Sequence, residues 1–518
     1  MQSKRDQVQA HTFVMGRLTS GMLLADPDSP ESPLSRTTRG TFIGLVVCVL
    51  VSAGALVYGL VSPGGNTSWR TSDSLIVNRQ TGARYLYIDG RLRPVRNYAS
   101  ALLIGAGELT TTDVRTASLR GTPVGAPVGI SGAPDSVPAA DDLDGGPWQV
   151  CSTAASATGA TTLVAGAPVE GRAVAAGQAL VVAGPDRATY LVWQGSRLRL
   201  DEDSGAAESL GYGSVTPRPV SAAFLDALVS GPDLASPEVP GRGAAGPSMD
   251  GRRSTIGQVF LVQVPGSDRQ YYLLRKEGLV PLTATGAALV LGDPATRKKA
   301  YGGAAPTAGA LGADVLRDRL APGREGRSTA SAGLPDVPPR AVVVPDGTAA
   351  CARVQPGDGF TRVTTVLVPR SSLAPVTQAA SGESSTACVP VDAVVVRPGH
   401  GALVRVLGAG GARVGATTYF VADDGVKYRV PSAAALKALG YTEADAVALP
   451  SPLLSMLASG PDLDPDAAAG DASVSVTPPG CGNGGGRASA GASPGAGPGL
   501  AQGVGPDGQD KRTNSGAQ

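Results

Sequence analysis

Ser230-Gly231-Pro232-Asp233-Leu234 reads SGPDL, and Ser459-Gly460-Pro461-Asp462-Leu463 reads the same five letters. Upstream of the first, Tyr190-Leu191-Val192-Trp193-Gln194-Gly195 leads through RLRL to Leu210-Gly211-Tyr212. Upstream of the second, Tyr419-Phe420-Val421 leads through DDGVKYRV to Leu439-Gly440-Tyr441. Tyr190 and Tyr419, Gly211 and Gly440, and Gly231 and Gly460 are all separated by one interval, with no net insertion. Three landmarks in one register identify a structural unit used twice.

Two weaker copies exist. Tyr85-Leu86-Tyr87-Ile88-Asp89-Gly90 runs into RLRPV and then Ala101-Leu102-Leu103-Ile104-Gly105. Tyr271-Tyr272-Leu273-Leu274 runs through RKEGLVPL to Ala288-Leu289-Val290-Leu291-Gly292. The chain therefore holds four units of two kinds, ordered A, B, A, B. In each, an aromatic-led apolar run, a Gly-containing turn and a second short run predict a β-hairpin. A short Ala/Leu helix follows, such as Ser432 to Leu439, stopped by Gly440. The B units predict a second helix, Val220 to Leu228 and Ser451 to Leu457. SGPDL then reads as its stop, with Gly as the cap and Pro forbidding continuation. Between the units, Val150 to Val182, Ile256 to Val264, Arg340 to Val368 and Ala387 to Val406 are valine-rich and predict strands of a central β domain.

The 518 residues include 71 Gly and 42 Pro and only 4% aromatics. Such a load of turn formers predicts short strands and disordered stretches. Lys plus Arg (44) nearly balance Asp plus Glu (43), so no basic footprint for nucleic acid exists. The histidines are His11 and His400 alone, which removes most metal and acid/base chemistry.

From Thr41 to Val61 the chain reads TFIGLVVCVLVSAGALVYGLV, and no charge occurs between Arg39 and Arg70. About 20 apolar residues span a bilayer as a helix. A secretory signal has a shorter apolar core and a shorter leader, so a retained anchor is the better reading. Arg36 and Arg39 abut the apolar run on its N-terminal side. Cys48 lies within it, and Cys151, Cys351, Cys388 and Cys481 follow. Four cysteines on one side fit an oxidising compartment and up to two disulfides, or else unrelated buried thiols. No CxxC or Cys/His pair has zinc-ligand spacing. The N-terminus is thus expected in the cytoplasm and the bulk outside. Before the anchor, Val8, His11, Met15, Leu18 and Met22 recur at alternating three- and four-residue steps, on one helical face. Asp26-Pro27 ends the pattern. That face suits a cytoplasmic partner or the membrane surface.

Chemistry-bearing motifs are missing. There is no G-x-x-x-x-G-K-[ST] phosphate cradle and no G-x-S-x-G elbow. His400, in RPGHGALV, reads as structural. Asp141-Asp142 and Asp201-Glu202-Asp203 read as solvated loops without EF-hand spacing. No catalytic residue, cofactor or metal is expected.

The residues that remain carry a resemblance. The run Lys4-Arg5-Asp6-Gln7-Val8-Gln9-Ala10-His11 leads to Met22, DPDSPESPLSRTTRG and the anchor. Trp148 to Cys151 follows as W-x-x-C, then PGHGALV at Pro398 to Val404, and the four repeats. In that order they resemble the EccB family, the single-pass membrane component of the actinobacterial type VII (ESX) secretion system. The resemblance covers nearly the whole chain apart from its low-complexity tail. It implies an inner-membrane complex with an EccC-type ATPase, EccD-like and EccE-like subunits and other copies of the chain, docked through the N-terminal helix. It implies an elongated outer region of four repeats, similar to a phage-lysin cell-wall-binding module, around a central β domain held by a disulfide. Cys151 and Cys351 match that disulfide; Cys388 and Cys481 remain as further candidate disulfide cysteines. Some family members carry an ATPase label.

The expected fold is α+β: a single N-terminal transmembrane helix, then an elongated extracytoplasmic array of four α/β modules around a central β domain. The divisions are a cytoplasmic tail (1–40), the anchor (41–61), repeats at 70–145, 185–240, 265–335 and 415–463, central parts at 146–184, 254–264 and 340–414, and a disordered tail (464–518). The expected function is a structural and assembly subunit of a secretion machine. An extracytoplasmic ATP hydrolase and a membrane protein that binds peptidoglycan are the alternatives. Repeated modules supply contact area without a reactive constellation.

Overall fold

A computed structural model describes residues 3–25, 28, 33–61, 67–71, 74–153, 160–166, 169–264, 266–322, 333–357, 360–373, 384–407, 413–470, 472–477 and 481. Its first helix, Lys4–Leu24, begins in a capping box. The Ser3 hydroxyl accepts from the Asp6 amide and the Asp6 carboxylate accepts from the Ser3 amide. Ala25 closes it in the left-handed region at φ 55°. The second helix is Pro33–Val61, within which Thr37–Tyr58 is long and apolar enough to cross a membrane. Phe42, Ile43, Leu45, Leu50, Val51, Leu56 and Tyr58 stand exposed all round it, a pattern that suits lipid rather than a protein core.

Five sheets follow, all within Met1–Pro479. In the first, Ser74–Asn78, Arg84–Ile88 and Arg91–Pro94 form an antiparallel meander, and Thr110–Val114 pairs in parallel with Ser74–Asn78. In the third, Val259–Val262, Gln270–Arg275 and Gly278–Leu282 form the meander, and Gly309–Ala310 pairs in parallel with Val259–Val262.

The second sheet has the meander Gln178–Ala183, Thr189–Trp193, Ser196–Arg199. Arg218–Pro219 runs parallel to its first strand and Val229–Ser230 parallel to its third. The fifth has Ala402–Leu407, Arg413–Val421, Val426–Val430, with Val447–Pro450 and Ala458–Ser459 in the corresponding parallel places. The tight turns Asp89-Gly90 and Gln194-Gly195 have φ of 50° and 72°, and 48° and 77°, the left-handed pairs that two-residue hairpins need.

The fourth sheet lies between, in the order Ala393–Val395, Ala160–Val164, Trp148–Thr153, Thr348–Pro356, Thr361–Pro369, Arg172–Ala173. Every residue of Trp148–Thr153 is buried, as expected of a strand covered on both faces. The helices Ala222–Asp226 and Ser451–Ser455 meet over it. Trp148, Val150, Phe224, Leu225, Leu453 and Met456 share one core there. Each fully buried large side chain of this kind contributes roughly 1.5–3 kcal/mol.

Strand pairing departs from the sequence reading in four places, one of them Arg340–Ala341, which pairs in parallel with Gln178–Ala183 of the second sheet rather than entering the central one. Val259–Val262, Gln178–Ala183 and Ala402–Leu407 are not strands of the central sheet; each is the first strand of the meander that follows it. Valine-rich runs look alike whichever sheet they enter, and only the partner strand distinguishes them. The register between the two B copies also differs. Tyr190 pairs with Arg199 but Tyr419 with Arg429, so the turn Ala422 to Gly425 is one residue longer than its counterpart. A compensating shortening before the helix restores the interval at Gly211 and Gly440. These two glycines, at φ 83° and 85°, do end the helices Ala206–Ser209 and Ala433–Ala438.

Contrary to the expected disordered tail, residues 464–470 and 472–477 have defined structure. Pro465–Ala469 is a helix capped by Asp464, with Ala467 and Ala468 buried against Tyr98–Ile104. Alanine carries too little apolar surface to signal this from composition; contact with a distant helix decides it. The rest of that tail, save Cys481, lies outside the described residues.

Candidate functional site

The structure offers contact surfaces, and the two copies of SGPDL define them. The pentapeptide is not a helix stop. The preceding helices end at Asp226 and Ser455, three residues or more before each glycine, and Ser230 and Ser459 already belong to strands. Neither Gly231 nor Gly460 is among the glycines with positive φ. Their role is close approach. A Cβ on Gly231 would stand 2.3 Å from Leu198 Cδ2, and one on Gly460 would stand 2.2 Å from Tyr428 Cε1. Gly231 donates to the Arg197 carbonyl at 3.0 Å and Leu234 to that of Arg199 at 2.7 Å. Gly460 donates to Lys427 at 2.9 Å and Leu463 to Arg429 at 2.8 Å. Each pentapeptide thus extends the sheet alongside the third strand of its meander and seats a leucine that is fully buried.

Their outer sides differ. In the fifth sheet all five residues are buried. Ser459 and Ser385 exchange backbone hydrogen bonds at 2.8 and 3.1 Å, and the Val389 amide donates to the Ser455 carbonyl at 3.1 Å. The Asp462 carboxylate receives Arg429 at 3.0 Å, the Ser475 hydroxyl at 3.0 Å and the Thr477 hydroxyl at 2.8 Å. In the second sheet Val229, Ser230 and Asp233 are exposed, and Val229 is 54% accessible.

Charges under the two copies also differ. Arg197 pairs with Asp226 at 2.9 Å. Lys427 takes the same place in the fifth sheet, and the position of Asp226 is Ser455. Lys427 Nζ therefore donates to the Leu454 and Leu457 carbonyls, the latter at 3.1 Å. Burial without a carboxylate pushes this ammonium down to about 8. No sequence signal short of aligning the copies reveals this difference.

Cys151 and Cys351 lie directly opposite on Trp148–Thr153 and Thr348–Pro356 and are bonded, with Cα atoms 4.0 Å apart. Cys388 and Cys481 are disulfide-bonded as well, and Cys48 is the free cysteine. Val8, Met15, Leu18 and Met22 are exposed on the first helix, and so is His11. Phe13, Val14 and Leu23 are exposed too, and they lie off the predicted stripe. Two hundred degrees of helical rotation separate Phe13 from Met15, at about 100° per residue. Apolar surface therefore surrounds this helix more broadly than the spacing of the five residues indicates.

His400 Nδ1 lies 2.9 Å from the Asp142 carbonyl and 3.8 Å from the Asp144 carboxylate, which pairs with Arg397. The ring thus ties the fifth sheet to the linker before Trp148. Two further linkers are held by buried tyrosines at equivalent positions of the B copies. Tyr212 donates to the Pro339 carbonyl at 2.7 Å and Tyr441 to the Pro138 carbonyl at 2.8 Å. The tyrosine of Leu-Gly-Tyr was legible as a landmark, but its partners were not. Among the described residues no cluster of three or more His, Cys, Asp or Glu side chains has metal-binding geometry.

Comparison with known proteins agrees with this architecture. The chain is similar, at 28% identity over 501 residues, to the protein named ESX-3 secretion system ATPase EccB3 of Mycolicibacterium smegmatis; the match covers 92% of each. In structure it is similar to a chain of an intact ESX-5 inner membrane complex, with TM-score 0.60 and 25% identity, covering 90% of this chain and 95% of that one. It is similar also to a chain of the periplasmic assembly from the ESX-5 inner membrane complex, with TM-score 0.60 and 26% identity, covering 79% and 97%. The family described as type VII secretion system ESX-1, transport TM domain B, matches residues 1–475. With that match spanning anchor, sheets and linkers alike, the chain belongs to the EccB family of type VII secretion components.

Proposed function

We propose that the chain is a structural and assembly subunit of a type VII secretion inner-membrane complex, working through protein contacts that support export. The observation that carries this reading is the likeness to the chain of an intact ESX-5 inner membrane complex, which extends over 95% of that chain. The helix Pro33–Val61 is the membrane tether, with residues 1–32 in the cytoplasm and the five sheets outside. Arg36 and Arg39 on the near side of the apolar run and disulfide-bonded cysteines on the far side support that orientation.

The outer part is four modules of two kinds around the central sheet. Shared strand order supports this: a meander plus one parallel strand in the first and third sheets, and a meander flanked by a parallel strand on each side in the second and fifth, the second also taking Arg340–Ala341 beside Gln178–Ala183. Each module begins one strand earlier than the aromatic-led runs, at Ser74, Gln178, Val259 and Ala402. The helix Lys4–Leu24, carrying Val8, His11, Met15, Leu18 and Met22, is the docking element for an EccC-type ATPase and for EccD-like and EccE-like subunits. Other copies of the chain complete the assembly. The word ATPase in the relative's name is not carried over, since this sequence holds no Walker phosphate loop.

The test is affinity purification of the tagged full chain from gently solubilised membranes. The expected result is co-purification of the three other subunit types. Charged substitutions on the first helix, Met15→Glu with Leu18→Glu, lower their recovery at least tenfold while the chain stays in the membrane. Recovery of the chain with none of them overturns the proposal.

A further inference from the structure

We propose that the open strand edge at Val229 and Ser230 is a docking site for an extended, uncharged, hydroxyl-bearing segment of a partner chain, added to the second sheet as an antiparallel strand. This deepens the assembly reading and rests on it.

Both copies of SGPDL make the same inward hydrogen bonds, so both edges have the same geometry. Val229 and Gly231 donate to the Gly195 and Arg197 carbonyls, each at 3.0 Å. Alternation along a strand then aims the Ser230 amide and carbonyl outward. At the equivalent Ser459 those two groups are filled by Ser385, in a segment that runs antiparallel as far as Val389. Around Ser230 no described residue fills them, and both Val229 and Ser230 are exposed. Such an edge is a template for another strand.

The chemistry of the occupant follows from what covers the other copy. Ser384-Ser385-Thr386 and Ser473-Val474-Ser475-Val476-Thr477 are uncharged and rich in hydroxyls. Ser475 and Thr477 give their hydroxyls to Asp462. Asp233, the counterpart of Asp462, is exposed, and so is Arg199, the counterpart of Arg429. Among the described residues these two form no ion pair with each other. They offer a carboxylate and a guanidinium to incoming hydroxyls and carbonyls. Their charges cancel, so a strongly charged segment gains nothing from them.

The experiment uses the full chain in detergent, with a photo-crosslinking residue at Val229. The probe is a biotinylated peptide copying residues 384–391 with Cys388→Ser. The expected result is saturable labelling at position 229, competed by unlabelled peptide. Ser230→Pro, which removes the outward N–H, lowers labelling at least tenfold, whereas Ser230→Ala leaves it unchanged. A peptide N-methylated at its second serine likewise loses labelling at least tenfold, with no change to the protein. Absence of saturable labelling, or labelling indifferent to both Ser230→Pro and N-methylation, overturns the proposal. Equal labelling by a peptide with lysines in place of its serines does the same. Because the peptide reads this edge alone, such failure is distinct from failure of the co-purification test above.

Discussion

At the residue scale, identical glycines in identical pentapeptides have different neighbours. A methyl group on Gly231 meets the aliphatic tip of the Leu198 side chain, itself fully buried but rotatable about two side-chain bonds. A methyl on Gly460 meets the ring of Tyr428, which is 1% exposed and held by Asp424 at 2.6 Å. Gly460→Ala is therefore expected to cost about 2–3 kcal/mol and Gly231→Ala about 1 kcal/mol, in line with overpacking of a filled core. Chemical denaturation of the two variants checks the order.

Lys427 gives a second prediction at this scale. Below pH 8 folded and unfolded chains both carry its charge, and the burial penalty is complete. From about 8, where burial holds the folded ammonium, up to its ordinary 10.5, the unfolded chain keeps a proton that the folded chain has lost. Stability therefore rises with pH across that window. Tyr428 and Tyr441 act in the opposite sense above 10, because burial raises their hydroxyls beyond the ordinary value. Melting of the full chain is expected to peak near pH 10, with Lys427→Met abolishing the rise from pH 8. An unchanged rise in that variant means the effect arises elsewhere.

At the element scale, the second and fifth sheets are tied to linkers by buried tyrosines. Tyr212 and Tyr441 sit just past left-handed glycines, which point each hydroxyl at a linker carbonyl far away in sequence, 127 residues for Tyr212 and 303 for Tyr441. Removing the hydroxyl leaves Pro339 or Pro138 with a carbonyl that lacks its buried donor. Tyr212→Phe and Tyr441→Phe are each expected to lower stability by about 1–2 kcal/mol, and the two together additively. Limited proteolysis near residues 138 and 339 detects the loosened linkers, and equal cutting of wild type and variants counts against the tether.

At the scale of the whole molecule, the central sheet joins segments far apart in the chain. Cys151 and Cys351 face one another across adjacent strands with a sequence separation of 200. A bridge across so long a loop constrains the unfolded chain strongly. Replacing both cysteines by alanine is expected to lower stability by about 4–5 kcal/mol, and more than any single linker substitution. A comparison of denaturation midpoints with and without the bridge tests this. At the same scale the second and fifth sheets become unequal at their SGPDL edges. One has its outer edge covered by Ser385 and its Asp462 tied by Ser475 and Thr477, and the other leaves Ser230 and Asp233 to solvent. The two SGPDL stretches make like inward hydrogen bonds, and the path of the chain covered only one of them on its outer side.

Sequence alone determined the membrane-length helix, since length and absence of charge need no partner to be read. It determined the hairpins and the helix stops at Gly211 and Gly440 too, because aromatic-led runs, Asp-Gly or Gln-Gly turns and left-handed glycines act through neighbours in the chain. It set the common interval between the two SGPDL stretches, which is a property of spacing. Tertiary structure decided the rest. Whether a valine-rich run enters the central sheet or a meander depends on which strand lies beside it, as Val259–Val262 shows. Whether SGPDL ends a helix or lines a strand depends on Leu198 and Tyr428 packed against its glycine. Whether Pro465–Ala469 is ordered depends on Tyr98–Ile104, hundreds of residues earlier. Local propensities reach only a few residues, whereas burial and strand pairing are settled between segments that meet only once the chain has folded.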